Sequence, residues 1–308
     1  MRFSMSKIST TVRSNLTMLG LRSSFLLGSL LDPQATVRRA GDLFCTPFAS
    51  SRQRAQTMSC GDAVQDSFDL DGHRIHTYAW GDPRTQPYVL LAHGWSSHAT
   101  RFLPWIGRLR AAGYAVVAFD QPAHGLSEGQ RTNLLEFANT LQAVAQRFGP
   151  VSALIGHSLG GAAVATAMAR GLAAERAILI APAADPIDAA RRFAGLIGLP
   201  HRLFQRMIAA FEAHIGFSFD AFQAHFMAPT IGHPALIVHD VEDREVPWAE
   251  GERYARFWPD SRLLSTQGLG HNRIAQDEGV ISAALRFLRG EAVGERVVST
   301  PNLPFGFA

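Results

Sequence analysis

Apolar and polar positions alternate along this chain in two rhythms. Residues 88–92, 115–119 and 177–180 are unbroken apolar runs, 151–155 is an apolar run interrupted only by Ser152, and 234–240 is an apolar run that ends in His239 and Asp240. Short continuous runs of this kind suit strands covered on both faces. Stretches with helical character lie between and after them, at 101–112, 134–148, 162–171 and 281–288, and residues 261–265 read as one more strand. Residues 67–78 alternate about Asp71-Gly72, which predicts a β-hairpin. Strands that take turns with helices predict an α/β protein, with a mostly parallel twisted sheet, right-handed crossovers and helices on both faces.

The pattern divides the chain. Residues 67–182 and 233–290 carry the alternation and form the core in two parts. Residues 1–66 are an N-terminal extension, within which 34–48 starts as a helix and ends at Thr46-Pro47. Residues 183–232 are an insertion rich in aromatics: Phe193, Phe204, Phe211, Phe217, Phe219, Phe222 and Phe226. Helical spacing links Phe204, Met207, Ile208 and Phe211. Either these side chains line an apolar pocket beneath a helical cap, or they only pack the insertion onto the core; the cap is the expectation. Residues 291–308 have no clear pattern and read as a surface tail.

Composition removes several function classes. At 308 residues the chain holds one large α/β domain plus an insertion, and 47% hydrophobic with 18% charged residues is ordinary for a globular protein. No run of 18 apolar residues occurs, so no transmembrane helix is expected. Of the 29 basic residues only Lys7 is lysine. The arginines are dispersed rather than striped, which argues against nucleic acid as a partner, and the lack of lysines excludes Schiff-base chemistry in the body of the protein. Cys45 and Cys60 make neither a disulfide framework nor a metal-ligand pattern. Free thiols in a reducing compartment, the cytoplasm, are the expectation, with no metal and no cofactor.

Residues 1–31 contain Arg2, Lys7, Arg13 and Arg22 and no acid. The apolar stretch at 25–31 is short and late for a secretory signal, and no small-x-small cleavage site follows closely. The remaining readings are an extension that packs on the domain, which is the expectation, and a peripheral membrane contact of an amphipathic segment with anionic lipid.

The candidate chemistry centres on Gly156-His157-Ser158-Leu159-Gly160-Gly161, between a strand and an Ala-rich helix. A serine with glycines two residues to either side, at such a junction, is the sequence mark of a nucleophile elbow. A serine hydroxyl needs a base within reach and a third group to orient that base. Partners in the order acid then histidine follow: Asp243 lies after the 234–240 strand, ahead of Val246-Pro247, and His271 lies in a loop, 268–272, after the next strand. Asp240, Glu242 and, remotely, Asp185 compete with Asp243 for the acid. His239 beside these carboxylates reads as hydrogen-bonded structure rather than a metal ligand.

With these motifs the chain resembles the α/β-hydrolase superfamily over roughly residues 67–289, in an esterase- or lipase-like, serine-nucleophile form. The resemblance implies a catalytic triad of Ser158, Asp243 and His271. His93-Gly94-Trp95 looks like the family's His-Gly-x motif, which makes the backbone N–H groups of Trp95 and Leu159 the oxyanion hole. Residues 120–127 resemble Asp-x-Pro-x-His-Gly-x-Ser, with Ala123 at the usual glycine; we assign them, His93 and His157 to structure. The resemblance further implies a cap at the insertion and a small-molecule ester as substrate. The expected activity is hydrolysis of an ester of a small-to-medium apolar acyl group through an acyl-enzyme. Acyl transfer, cleavage of an amide, thioester or carbon–carbon bond, and a binding protein without turnover are the alternatives. Substrate-binding residues cannot be named from the sequence.

Overall fold

The computed structural model describes residues 5–297, so the tail expected at 291–308 lies outside the described residues from 298 onward, as do residues 1–4. The chain starts with three helices, α1 (Met5–Leu31), α2 (Pro33–Phe44) and α3 (Ala49–Thr57). The hairpin β1 (Val64–Leu70) and β2 (His73–Trp80) follows, with Asp71 at φ 50° and Gly72 at φ 80°. A two-residue turn with both φ values positive matches the twist of the strands it joins.

The core then alternates as expected: β3 (Tyr88–Ala92), α4 (Leu103–Ala111), β4 (Ala115–Phe119), α5 (Leu134–Phe148), β5 (Val151–His157), α6 (Leu159–Ala169) and β6 (Ala174–Ile180). The insertion contributes α7 (Pro186–Ile197), α8 (His201–Ile215) and the short α9 (Ala224–Met227). The chain returns through β7 (Ala235–Asp240), α10 (Trp248–Phe257), β8 (Ser261–Thr266), the four-residue α11 (Gly270–Arg273) and α12 (Glu278–Leu288).

The eight strands form one sheet in the order β1-β2-β4-β3-β5-β6-β7-β8. β1 and β2 are antiparallel to each other and β2 to β4, and every later pairing is parallel. Every residue of β3 and β4 is buried, because both faces are covered. Leu90, Val117, Leu154, Leu179 and Ile237 face α5, α6 and α10 through Phe137, Leu141, Val164 and Tyr254. Val89, Val116, Ile155, Ile178 and Leu236 face α4 and α12 through Trp105, Leu109, Ile281 and Ala284. This alternation is the two-residue period of a strand. An N-cap starts α5: the Asn133 side-chain oxygen accepts the Glu136 N–H at 3.0 Å, and its amide NH2 donates to the Glu136 carboxylate at 2.9 Å.

The structure departs from the expected elements in a few places. α6 starts at Leu159, directly after Ser158, rather than at 162. The 101–112 helix is a 3-10 turn, Ala99–Phe102, followed by α4 with Pro104 in its first turn. α10 occupies a stretch where the sequence suggested no helix, and residues 1–31 contain the long helix α1.

The chain divides into two compact units, Met1–Cys45 with Pro186–Ala221, and Thr46–Asp185 with Phe222–Ala308. In the first, Phe25, Val37, Ala40, Ala194, Ile197, Phe204 and Met207 form a separate apolar core. Phe44 meets Phe193 and Phe211 at ring distances of 5.1 and 6.0 Å. The second unit holds the sheet, α3 and the end of the insertion, where Ala224 and Met227 of α9 are buried.

Candidate active site

β5 feeds directly into α6 through Ser158, which sits at φ 55°, ψ −123°. A non-glycine residue there is strained, and the strain persists because the surroundings fix it. A Cβ at Gly156 would lie 2.4 Å from the Gly160 carbonyl oxygen, and one at Gly160 would lie 2.2 Å from that of Ala92. One at Gly94 would lie 2.8 Å from the Ser158 Cβ. The glycines two residues before and after the serine are therefore contact points between backbones, and β3 and β5 meet there. Because β3 lies between β4 and β5, the loop after β3 and the elbow after β5 lie side by side at the carboxyl edge of the sheet, where open α/β folds place their sites.

His271 reaches this point from α11, not from a loop. Its Nε2 lies 2.9 Å from the Ser158 Oγ and its Nδ1 2.7 Å from the Asp243 Oδ2. The hydroxyl donates to Nε2 and the Nδ1–H donates to the carboxylate, which fixes one neutral tautomer. Asp243 also accepts the N–H groups of Glu245 and Val246 on Oδ1, at 2.8 and 3.0 Å. Burial pushes its carboxyl up, but contacts from His239 and His271 and the Val246 N–H outweigh this and hold it well below the usual range. Asp185 is not brought to His271; it pairs with Arg253 at 3.4 Å.

Further side chains fix His271 and Asp243, and the sequence showed their place only in part. The fully buried His239 donates its Nε2–H to the Val246 carbonyl at 3.0 Å, with the Asp243 Oδ2 3.4 Å away. Gly251 makes room for it, since a Cβ there would lie 2.3 Å from His239 Nδ1. Asp240, also fully buried, accepts from the Thr266 hydroxyl at 2.8 Å, the Leu269 N–H at 3.0 Å and the Glu242 N–H at 3.0 Å. Burial raises its carboxyl, yet these bonds and one from the Gly270 N–H bring it below the usual range. It thus ties the residues just ahead of His271 to the end of β7. On the other side His157 donates its Nε2–H to the His271 carbonyl at 2.9 Å. Arg101 holds the backbone and side-chain carbonyls of Asn272 at 2.8 and 2.9 Å, and Asn272 donates to Glu245 at 2.6 Å. Nothing in the sequence pattern marked Arg101; its signal is spatial.

The histidines assigned to structure are buried and neutral. Burial pushes His93, His124 and His157 down to about 3. His93 donates from Nδ1 to the Gly94 carbonyl at 2.8 Å and accepts the Gln121 N–H at 3.0 Å, which braces the loop after β3 against the 120–127 loop. His124 accepts the Ser96 N–H at 2.9 Å. The buried Asp120 carboxylate receives the Tyr78 hydroxyl and the N–H groups of Ala99 and Leu126 at 3.0, 2.8 and 2.9 Å. Ala123 stands at φ 65°, a conformation that suits the glycine it replaces in the motif. The Trp95 ring stacks near Phe137 at 6.2 Å, and among the described residues neither the Trp95 nor the Leu159 N–H meets a backbone acceptor. A cavity of about 260 Å³ adjoins His271, with Glu242, Arg244, Glu245 and Arg273 in its wall.

Comparison with known proteins agrees with this architecture. The family model for serine aminopeptidase S33 matches residues 83–220. A monoacylglycerol lipase of Mycolicibacterium smegmatis is 36% identical over 105 residues, a stretch that spans 31% of this chain and 37% of the lipase. A non-heme chloroperoxidase of Streptomyces lividans is 25% identical over 264 residues, covering 70% of this chain and 95% of that protein. The solved structure of an esterase from Rhodococcus sp. ECU1013 superposes with a TM-score of 0.56 at 19% identity, covering 74% of this chain and 98% of the esterase. With its sheet order, the strand–serine–helix junction and these similarities, the chain has the α/β-hydrolase fold.

Proposed function

We propose that the chain is a serine hydrolase that cleaves a carboxylic ester of a small-to-medium apolar acyl group through an acyl-enzyme. The observation that carries this reading is the pair of contacts on His271, 2.9 Å to the Ser158 hydroxyl and 2.7 Å to the Asp243 carboxylate. His271 takes the Ser158 proton on Nε2 as Oγ bonds to the ester carbonyl carbon. Asp243 stabilises the imidazolium. The N–H groups of Trp95 and Leu159 receive the charge that develops on the carbonyl oxygen, an effect worth about 3 kcal/mol per donor. The tetrahedral adduct collapses, the bond to the alcohol oxygen breaks, and His271 returns the proton to it. Water then repeats the sequence with His271 as base, releasing the acid and restoring Ser158. Support comes from the relatives, among them the lipase and the esterase.

The test is hydrolysis of short p-nitrophenyl esters by the intact protein and by Ser158→Ala. A loss of about a thousandfold or more in kcat is expected. Equal rates would end the proposal.

A further inference from the structure

Helix α1 is apolar on two sides, and only one of them has a partner. The inner side carries Phe25, fully buried, and Leu21, which packs on the same core with Val37 of α2 and Ala194 of α7. The outer side carries Leu19, Leu26, Leu27, Leu30 and Leu31, all more than half exposed, with Leu30 at 76% and Leu31 at 84%. Leu19, Leu26 and Leu30 follow at intervals of seven and four, so they lie in one row along the helix. A row of this size is larger than the scattered single leucines of an ordinary surface.

Charge identifies what such a row fits. Residues 1–31 hold Arg2, Lys7, Arg13 and Arg22 and not one acid. A second copy of the chain would bring like charge against like. A surface of anionic lipid offers apolar depth for the leucines and negative headgroups for the cations. No helix among the described residues is long and apolar enough to cross a membrane, so the fitting geometry is a helix lying along the surface, with its other side held in the protein by Phe25.

We propose that the outer face of α1 docks the protein on membranes that carry anionic phospholipid. This docking does not depend on the hydrolytic reading of Ser158. Each leucine that enters the acyl boundary adds to the apolar area removed from water, and each cation adds an attraction that salt screens.

The experiment is flotation of the full chain with vesicles of equal parts phosphatidylcholine and phosphatidylglycerol, and with vesicles of phosphatidylcholine alone. Wild-type protein is expected on the mixed vesicles, about tenfold or more above the neutral ones, and is expected to be released as salt is raised. A variant with Leu26→Gln, Leu27→Gln and Leu30→Gln is expected to lose about a hundredfold in partitioning while keeping its thermal unfolding transition and its rate on a soluble ester. Should that variant not fold, Leu30→Gln with Leu31→Gln at the helix end replaces it, with a loss of about tenfold expected. Absence of the wild type from both vesicle types, equal binding of the variants, or a dimer held by these leucines in buffer without vesicle binding would each overturn the proposal.

Discussion

Ser158 and His271 lie in hydrogen-bond contact, yet the two ends of that contact are built from different materials. The serine end is made of backbone. Gly156, Gly160 and Gly94 let chain segments approach so closely that a methyl group on any of them would overlap a neighbour. The histidine end is made of side chains. Asp240, His157 and Arg101 each reach across from another part of the chain to hold residues 269–272. The first kind of construction is steric and fails as a whole. The second is a set of hydrogen bonds, each worth about 1 kcal/mol or somewhat more when charged, and it can fail one member at a time.

Gly160→Ala tests the steric end and carries the largest expected effect. The added Cβ would sit 2.2 Å from the Ala92 oxygen and 2.5 Å from that of His93, backbone atoms at the end of the central strand β3 and in the loop that leaves it. A loss of about 3 kcal/mol or more in urea unfolding is expected, with activity on short esters falling alongside it. Gly107→Ala is the control, because it is helical and has no heavy atom within 4 Å of the new methyl. It should leave stability unchanged or raise it by up to about 1 kcal/mol. If Gly160→Ala unfolds like the control, the elbow is not held by backbone contact.

The same contrast explains what could be read from the sequence. Steric demands leave a local mark, since only glycine satisfies them, and Gly156-His157-Ser158-Leu159-Gly160 displays both positions within five residues. The buried strands were equally plain, because a sheet covered on both faces requires unbroken apolar runs such as 88–92 and 115–119. Asp243 and His271 could be placed by order and by resemblance, but not their supports. A buried carboxylate such as Asp240 looks in sequence like any surface acid. Its meaning comes from Thr266 and Leu269, which the fold alone brings to it. α10 was missed because its buried residues, Glu250, Gly251, Tyr254 and Ala255, include an acid and a glycine, which blur its apolar stripe. α11 is four residues long, too short for any periodicity to show.

Asp240→Asn addresses the polar end. The carboxylate accepts on both oxygens, from Glu242 on Oδ1 and from Thr266 and Leu269 on Oδ2. An amide offers one accepting oxygen, and its NH2 group would face a backbone donor on the other side. Residues 269–270 should loosen, and with them the reach of the His271 ring to Ser158. The expected result is a fall in kcat of about tenfold with KM nearly unchanged, and a stability loss of about 1–2 kcal/mol, smaller than for Gly160→Ala. A rise in KM at constant kcat would mean that Asp240 shapes substrate binding instead. Should Ser158→Ala retain full activity, the triad reading fails first and the kinetic part of this test has no object.

His157→Gln gives the smallest effect at neutral pH and the clearest sign as pH falls. His157 titrates near 3 in the folded chain because burial disfavours its cation, with the His271 ring and Arg101 adding to the effect. An unfolded histidine titrates near its ordinary value of 6.5. Between these values the unfolded chain binds a proton that the folded chain refuses, so the contribution is complete above about pH 6.5 and is lost as pH falls toward 3. Each such histidine adds a slope of up to about 1.4 kcal/mol per pH unit. His93 and His124 are shifted the same way and are present in both proteins, so they cancel in the difference. Urea unfolding from pH 7 to pH 4.5 should therefore show the variant losing stability less steeply than the wild type by about one proton, below about pH 6. The glutamine N–H can still reach the His271 carbonyl, so the hydrogen bond is conserved while the titration is removed. Parallel pH slopes would mean that the His157 ring is hydrated, and that the support beneath His271 is looser than a 2.9 Å contact in a buried site implies.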